Sequence, residues 1–292
     1  MVYQPDKCHQ THSHFIHNTL YKVHTWGRSE TTPIFLLHGW ADTGTSFQFM
    51  AEAMNDDWFL IAPDWLGFGE SGWSRSGYWI PDYLAALEAL IDIYSPKHEV
   101  KLVGHSMGGN IACMYAGLRP KQVSHLVNME GFGLPDTNPE EAPERYIKWL
   151  DQKKSPAKFL SYKSFEKLAR QIQKQARYIT HERAMFVARQ WAKEVNDDVV
   201  ILKADPAHKI INPILYRREE AKNCWRNITA RTLLMLGNES SHHENYFKEE
   251  IKEEFNKCFN NLEIKVIDHA GHMLHHDQPE ETATILEAFL RQ

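Results

Sequence analysis

The hydropathy of this chain describes an α/β protein: a mostly parallel central sheet flanked by helices, with a helical cap inserted between two of the strands. Three observations predict it. Short, continuous apolar runs recur and end at glycine, proline or a polar loop, as strands buried on both faces should read. Segments with apolar residues at helical spacing alternate with those runs. One stretch, residues 133–221, breaks the alternation and carries helical periodicity without comparable strand runs.

Taken in order, residues 14–18 and 20–25 alternate polar and apolar positions and read as two short strands. Pro33-Ile34-Phe35-Leu36-Leu37 is the first buried run, and Phe59-Leu60-Ile61-Ala62 the second. A helix is expected after Ile80-Pro81, where Tyr83, Leu84, Leu87, Leu90 and Ile91 form one stripe and proline suits the first turn. Val100-Lys101-Leu102-Val103 is the third run, followed by a helical stripe of Ile111, Met114, Tyr115 and Leu118. Ser124-His125-Leu126-Val127-Asn128-Met129 is the fourth. The interrupting stretch then offers Tyr146, Ile147 and Leu150, Phe165, Leu168 and Ile172, and Met185, Phe186, Ala188 and Trp191 as three amphipathic helices. Two more runs, Thr232-Leu233-Leu234-Met235-Leu236 and Leu262-Glu263-Ile264-Lys265-Val266-Ile267, precede a last helix near Pro279 that buries Ile285, Leu286 and Phe289. The division expected is a core of residues 1–132 and 222–292 with a cap of residues 133–221.

Composition narrows the class of function. A net charge of −5 over 292 residues provides no basic field for nucleic acid or an anionic membrane. No apolar run approaches the roughly 18–20 residues of a bilayer span, and residues 1–17 are too polar for an export signal. Cys8, Cys113, Cys224 and Cys258 lack metal-ligand spacing, so a reducing cytoplasmic setting is expected and the sequons at Asn227 and Asn238 read as chance matches. Cys8, His9, His12 and His14 resemble a metal set superficially, but an exposed strand near a chain end is a poor cage. No metal and no cofactor is expected. The partner expected is a small-molecule substrate, and the sequence carries no indication of an oligomeric state.

Gly104-His105-Ser106-Met107-Gly108-Gly109 follows a buried strand and precedes a helix. A sharp strand-to-helix turn exposes a serine hydroxyl and sets a helix N-terminus where an oxyanion would form. A serine there also suits a simple helix cap; the flanking glycines and buried strand favour a nucleophile. Asp268-His269-Ala270-Gly271-His272 follows the last strand, which places His272 at the sheet's C-terminal edge as the base. His269, His275 and His276 are rivals by residue type, expected to be structural or solvated. The N–H groups of Trp40 and Met107 are the expected oxyanion donors, and Trp40, Trp65 and Phe132 the expected walls of an apolar substrate pocket.

At these residues the chain resembles the α/β-hydrolase superfamily over nearly its whole length. His38-Gly39-Trp40-Ala41-Asp42 with Ser46-Phe47, Asp64-Trp65-Leu66-Gly67-Phe68-Gly69-Glu70-Ser71, the Ser106 motif extended to Asn110, and Glu130-Gly131-Phe132-Gly133-Leu134-Pro135 resemble its serine hydrolase-like group. The resemblance implies the α/β-hydrolase fold and hydrolysis of an ester-like bond by a catalytic triad without cofactor. Asp64 and Glu70 are expected to hold the backbone of their loop.

The triad acid departs from the common pattern. Most members of the superfamily carry an aspartate after the penultimate strand, and here that position reads as Ser240 within Gly237-Asn238-Glu239-Ser240. Some members carry the carboxylate after the preceding core strand, where this chain has Glu130. Glu130 is the first candidate and Glu239 the alternative, with a third residue left open. A serine hydrolase acting on a small carboxylic ester or thioester is expected. Carbon–carbon bond hydrolysis or aminopeptidase chemistry at the same site, or a non-catalytic ligand-binding receptor that retains the triad, are the alternatives.

Overall fold

Where the apolar runs lie, the sheet forms. The computed structural model describes residues 3–55, 57–155, 158–196 and 199–292. β1 (Gln10–Ile16) and β2 (Thr19–Trp26) are an antiparallel hairpin. It reverses on His17 and Asn18, at φ of 46° and 61°, the left-handed pair that a two-residue type I′ turn requires. The first strand thus starts at Gln10 rather than at residue 14, and ends before the positions expected to close it. There follow β3 (Pro33–Leu37), α1 (Gln48–Ala53), β4 (Phe59–Pro63), α2 (Ile80–Tyr94), β5 (Val100–His105), α3 (Met107–Leu118) and β6 (Val123–Met129).

The inserted segment contributes α4 (Ala142–Lys154), α5 (Phe165–Gln175), α6 (His181–Trp191), a hairpin of β7 (Ala192–Asn196) and β8 (Val199–Leu202), and α7 (Arg218–Arg226). The chain then completes the sheet with β9 (Arg231–Gly237), α8 (Ser241–Tyr246), α9 (Glu249–Cys258), β10 (Leu262–Ile267), α10 (Leu274–Asp277) and α11 (Pro279–Leu290).

The main sheet has the order β1-β2-β4-β3-β5-β6-β9-β10. Its pairs are parallel from β4 through β10, and β2 runs antiparallel to both its neighbours. Side chains of β3 alternate between the two faces. Phe35 and Leu37 pack beneath α2 and α3, Ile34 and Leu36 against α1 and α11, and all four are fully buried. Burial of each contributes roughly 1.5–3 kcal/mol.

Three features of the insertion differ from the sequence expectation. It is not purely helical, because β7 and β8 pair as a hairpin that also bridges Tyr162 through Val200. Tyr146, Ile147 and Leu150 of α4 are 49–60% exposed; the face of α4 turned inward carries Arg145, Trp149 and Lys153, one turn apart along the helix. Finally, the expected boundary at residue 221 falls inside α7, whose Ala221 and Trp225 join the same buried cluster as Cys113 and Tyr115 of α3. By contrast, α5 and α6 do pair through Leu168, Ile172, Val187 and Ala188, with Ser164 and Thr180 capping their N-termini.

Candidate active site

The chain leaves β3 for β4 on one side and returns to β5 on the other, so the loops after β3 and β5 diverge at their C-terminal ends. Crevices at such switch points are where open parallel sheets hold ligands. The loop after β3 carries His38-Gly39-Trp40, and the turn after β5 carries Ser106.

Ser106 sits at φ 50° and ψ −113°, a conformation that costs a non-glycine residue on the order of 1–3 kcal/mol. Its amide donates to the Met129 carbonyl at 2.8 Å and its own carbonyl accepts from Asn110 N at 3.0 Å, which holds the turn in place. The flanking glycines are required by contact. A Cβ on Gly104 would stand 2.4 Å from the Gly108 carbonyl oxygen, and one on Gly108 would stand 2.0 Å from that of Leu37. Met107 opens α3, so its amide belongs to the unpaired N–H groups at the positive end of the helix.

Glu130 directly follows β6 in a second left-handed conformation, φ 57°. That bend turns its fully buried carboxylate toward the loops after β9 and β10. Oε1 accepts from Gly237 N at 2.9 Å, and Oε2 accepts from the Ser240 hydroxyl at 2.7 Å and from His272 Nδ1 at 2.6 Å. A buried charge is tolerable when paired and bonded in this way. Because Nδ1 donates, Nε2 is the basic nitrogen of His272. His272 and Ser106 line the same cavity. The His272 backbone is held too, its carbonyl accepting from His105 Nε2 at 2.8 Å. A further imidazole, His242, lies 5.0 Å from the His272 ring and stacks on Phe132; burial, then the charge of His272, lowers its pKa.

The alternative acid is engaged elsewhere. Glu239 accepts from the Tyr178 hydroxyl and lies 3.8 Å from Arg177 and 3.9 Å from His269, on the side of the inserted segment. His269 is exposed, whereas His275 and His276 are fully buried, so neither of the latter is solvated. Asp64 does hold loop backbone, accepting from Gly44 N at 2.8 Å and Glu70 N at 2.9 Å. Glu70 does not; its carboxylate pairs with Lys203 at 3.1 Å.

The pocket assignments need correction. Trp65 is fully buried, its amide and indole N–H donating to His38 Nε2 and to the His38 carbonyl at 2.8 and 3.1 Å. It is a strut for the Trp40 loop. Phe132 is half-buried and packs on His242 and Phe255. Trp40, 48% exposed, is the expected wall that does face space. His38 is assigned no role of its own by the sequence. It is a buried neutral link, with Nδ1 donating to the Gly39 carbonyl at 2.7 Å and burial lowering its pKa to about 4.

Two cavities meet at Trp40 and Ser106. One, of about 500 Å³, runs between α3 and the insertion and includes Tyr83, Met114, Leu134 and Trp149. The other, of about 620 Å³, includes His272, Tyr162, Leu168 and Trp191. An extended molecule lying across both would present a central bond to the hydroxyl. Among the described residues, no helix is long and apolar enough to cross a membrane.

Comparison with known proteins agrees with this geometry. Residues 32–279 match the family model described as the alpha/beta hydrolase fold. The chain is similar to a serine hydrolase-like protein of Danio rerio, 24% identical over 276 residues that cover 91% of this chain and 83% of the relative. It is also similar to a probable serine hydrolase of Drosophila melanogaster, 31% identical over 144 residues, a match confined to 48% of this chain and 41% of that protein. Among solved structures, a thioesterase domain from the curacin biosynthetic pathway shares the fold with a TM-score of 0.86, over 96% of this chain and 99% of that one, at 19% identity.

Proposed function

The chain belongs to the α/β-hydrolase fold family, and from that premise we propose that it is a serine hydrolase that cleaves a small ester-like bond, a carboxylic ester or thioester, through an acyl-enzyme on Ser106. The observation that carries this reading is the buried Glu130–His272 bond of 2.6 Å, set beside a strained serine in one cavity.

In the first step the Ser106 hydroxyl attacks the carbonyl carbon while His272 Nε2 takes its proton. The tetrahedral oxyanion is held by the N–H groups of Trp40 and Met107. Collapse expels the alcohol or thiol, which receives the proton from His272, and leaves the acyl group on Ser106. Water then attacks the acyl-enzyme with the same imidazole as base, and release of the acid restores the serine. Glu130 fixes the tautomer and stabilises the imidazolium throughout. Both cavities are lined largely by apolar side chains, which favours hydrocarbon-rich groups on either side of the scissile bond, and the inserted segment closes over them as a cap.

The test is covalent. A fluorophosphonate should label the wild type at Ser106 and leave Ser106→Ala unlabelled, and a panel of activated esters and thioesters should be turned over by the wild type alone. Labelling that persists in Ser106→Ala overturns the assignment of the nucleophile. Turnover of a diketone or an aminoacyl amide in place of every ester would move the reaction class.

A further inference from the structure

Beside the cavity of Ser106 and His272 lies a second group of ligand-type side chains that the hydrolytic mechanism does not use. Asp42, His105 and His275 are 3%, 1% and 0% exposed. A carboxylate oxygen and one ring nitrogen from each histidine stand within 4.8 Å of one another, and His275 Nε2 is 4.0 Å from Asp42 Oδ2. His105 Nδ1 and both ring nitrogens of His275 have no hydrogen-bond partner among the described residues.

The chemistry of each group is set by its neighbours. His105 Nε2 faces the His272 carbonyl at 2.8 Å. A carbonyl only accepts, so the proton is on Nε2, and Nδ1 presents a bare lone pair. Donation of the distal N–H to a carbonyl is also how metal-ligating histidines are commonly oriented. Asp42 is tethered in turn by Thr43 N at 2.7 Å, the Trp191 indole at 2.7 Å and the Ser46 hydroxyl at 2.9 Å. Burial keeps both imidazoles neutral and pushes the Asp42 carboxyl up to about 7. An anion-capable carboxylate and a bare nitrogen lone pair therefore converge, with no Lys or Arg side chain among the described residues paired to Asp42.

We propose that Asp42, His105 and His275 form a binding site for a divalent transition-metal ion of the Zn2+ or Cu2+ type, reached from the cavity that Asp42 and His105 share with Ser106. Two imidazoles and a carboxylate are a donor set suited to these ions. Metal–ligand bonds of about 2.0–2.2 Å at tetrahedral angles put ligand atoms about 3.3–3.6 Å apart, so the three groups, now within 4.8 Å of one another, need to draw together by roughly 0.5–1.5 Å, a shift that side-chain rotation of His275 and Asp42 supplies. An ion held there grips His105, the chain neighbour of Ser106 and the support of the His272 carbonyl. Resting on the hydrolase reading, its consequence is inhibition of turnover.

The competing arrangement is Glu130, His242 and His272, which also converge within 4.8 Å. The full chain, stripped with chelator, is titrated with Zn2+ against a chromophoric competitor, and loaded with Cu2+ for electron paramagnetic resonance. The wild type should bind a single tight ion. His275→Gln and Asp42→Asn should each weaken it by about tenfold or more, and His242→Phe should leave it unchanged. Lack of tight binding by the wild type, or loss only in His242→Phe, overturns the proposal. If the two buried variants fail to fold, the Cu2+ spectrum of His242→Phe decides: retained coordination by two imidazole nitrogens supports the site, and its loss removes it. These measurements need no substrate, so they stand apart from the fate of the hydrolase reading. Where an ester is turned over, Zn2+ should inhibit the wild type and spare His275→Gln.

Discussion

Glu130 reaches His272 from the end of β6, one strand before the more common place for a triad acid, and the bond it makes is 2.6 Å long. Ser240, which stands in that more common place at the end of β9, donates its hydroxyl to the same carboxylate oxygen at 2.7 Å. The two positions are therefore joined through one atom.

Neutralising the acid should be costly. Glu130→Gln is expected to lower turnover of an activated ester by about a hundredfold to ten-thousandfold with little change in KM, the range for a triad acid that sets tautomer and charge. Glu239→Gln, which removes a charge beside Tyr178 and Arg177, should cost less than about tenfold. Steady-state kinetics of the two folded variants checks this, and the reverse ranking would transfer the role to Glu239.

The shared oxygen predicts a partial exchange of roles. Ser240→Ala should lower turnover by roughly tenfold to a hundredfold, as expected for loss of one hydrogen bond to a charged group. In a Glu130→Gln background, Ser240→Asp should recover at least about tenfold, because its carboxylate starts from the β9 loop already in contact with the site. No gain in the double variant would mean that the hydroxyl position does not face the imidazole closely enough to replace the acid.

The cavity beneath α3 predicts a length limit. Met114 lines it at a distance in sequence from Ser106 that puts two helical turns between them. Met114→Trp should fill space there and reduce kcat/KM for long-chain acyl or alkyl esters by about tenfold or more while leaving the smallest ester nearly unchanged. Chain-length profiles of the two proteins measure it. Parallel profiles would assign substrate binding to the other cavity.

Buried neutral histidines predict acid lability. Burial lowers His38 to about 4 and His276 to about 3, and holds His105 and His275 well below 6.5. These groups take up protons on unfolding below their unfolded pKa of about 6.5, so stability present above that pH is lost as pH falls. Asp42, raised to about 7 by burial, acts with the opposite sign: between its unfolded and folded pKa the native state holds the extra proton, and stability falls as pH rises. The four histidines outnumber it. Unfolding near pH 5.5 should take up about two to three protons net from this group, and Tm should drop steeply between pH 7 and pH 5. Calorimetry across that range tests it, a flat profile being inconsistent with neutral buried imidazoles. Asp42→Asn should steepen the decline.

Much of this architecture is legible in one dimension. Continuous apolar runs ending at glycine or proline identify parallel strands, because only strands covered on both faces dispense with polar alternation. The elbow is legible for a local reason: Gly104 and Gly108 are forced by contacts with backbone only a few residues away or in the adjoining strand. The insertion was less legible. Its α4 exposes the apolar stripe formed by Tyr146, Ile147 and Leu150 and turns Arg145, Trp149 and Lys153 inward, so amphipathicity pointed to the wrong face. Aromatic residues near the site were equally ambiguous, since Trp65 serves a hydrogen-bonding strut and Trp40 a cavity wall.

By itself, then, the sequence determined the sheet, the strained serine turn and the histidine after the last strand, because each depends on residues close together along the chain. Only the tertiary structure shows which carboxylate bonds His272, since Glu130 and His272 are separated by 142 residues and meet through the order β6-β9-β10 and a left-handed bend at Glu130. The same holds for the buried group of Asp42, His105 and His275, drawn from the ends of three separate segments. Their convergence follows from parallel strands delivering all their loops to one edge, a long-range consequence that spacing along the chain does not encode.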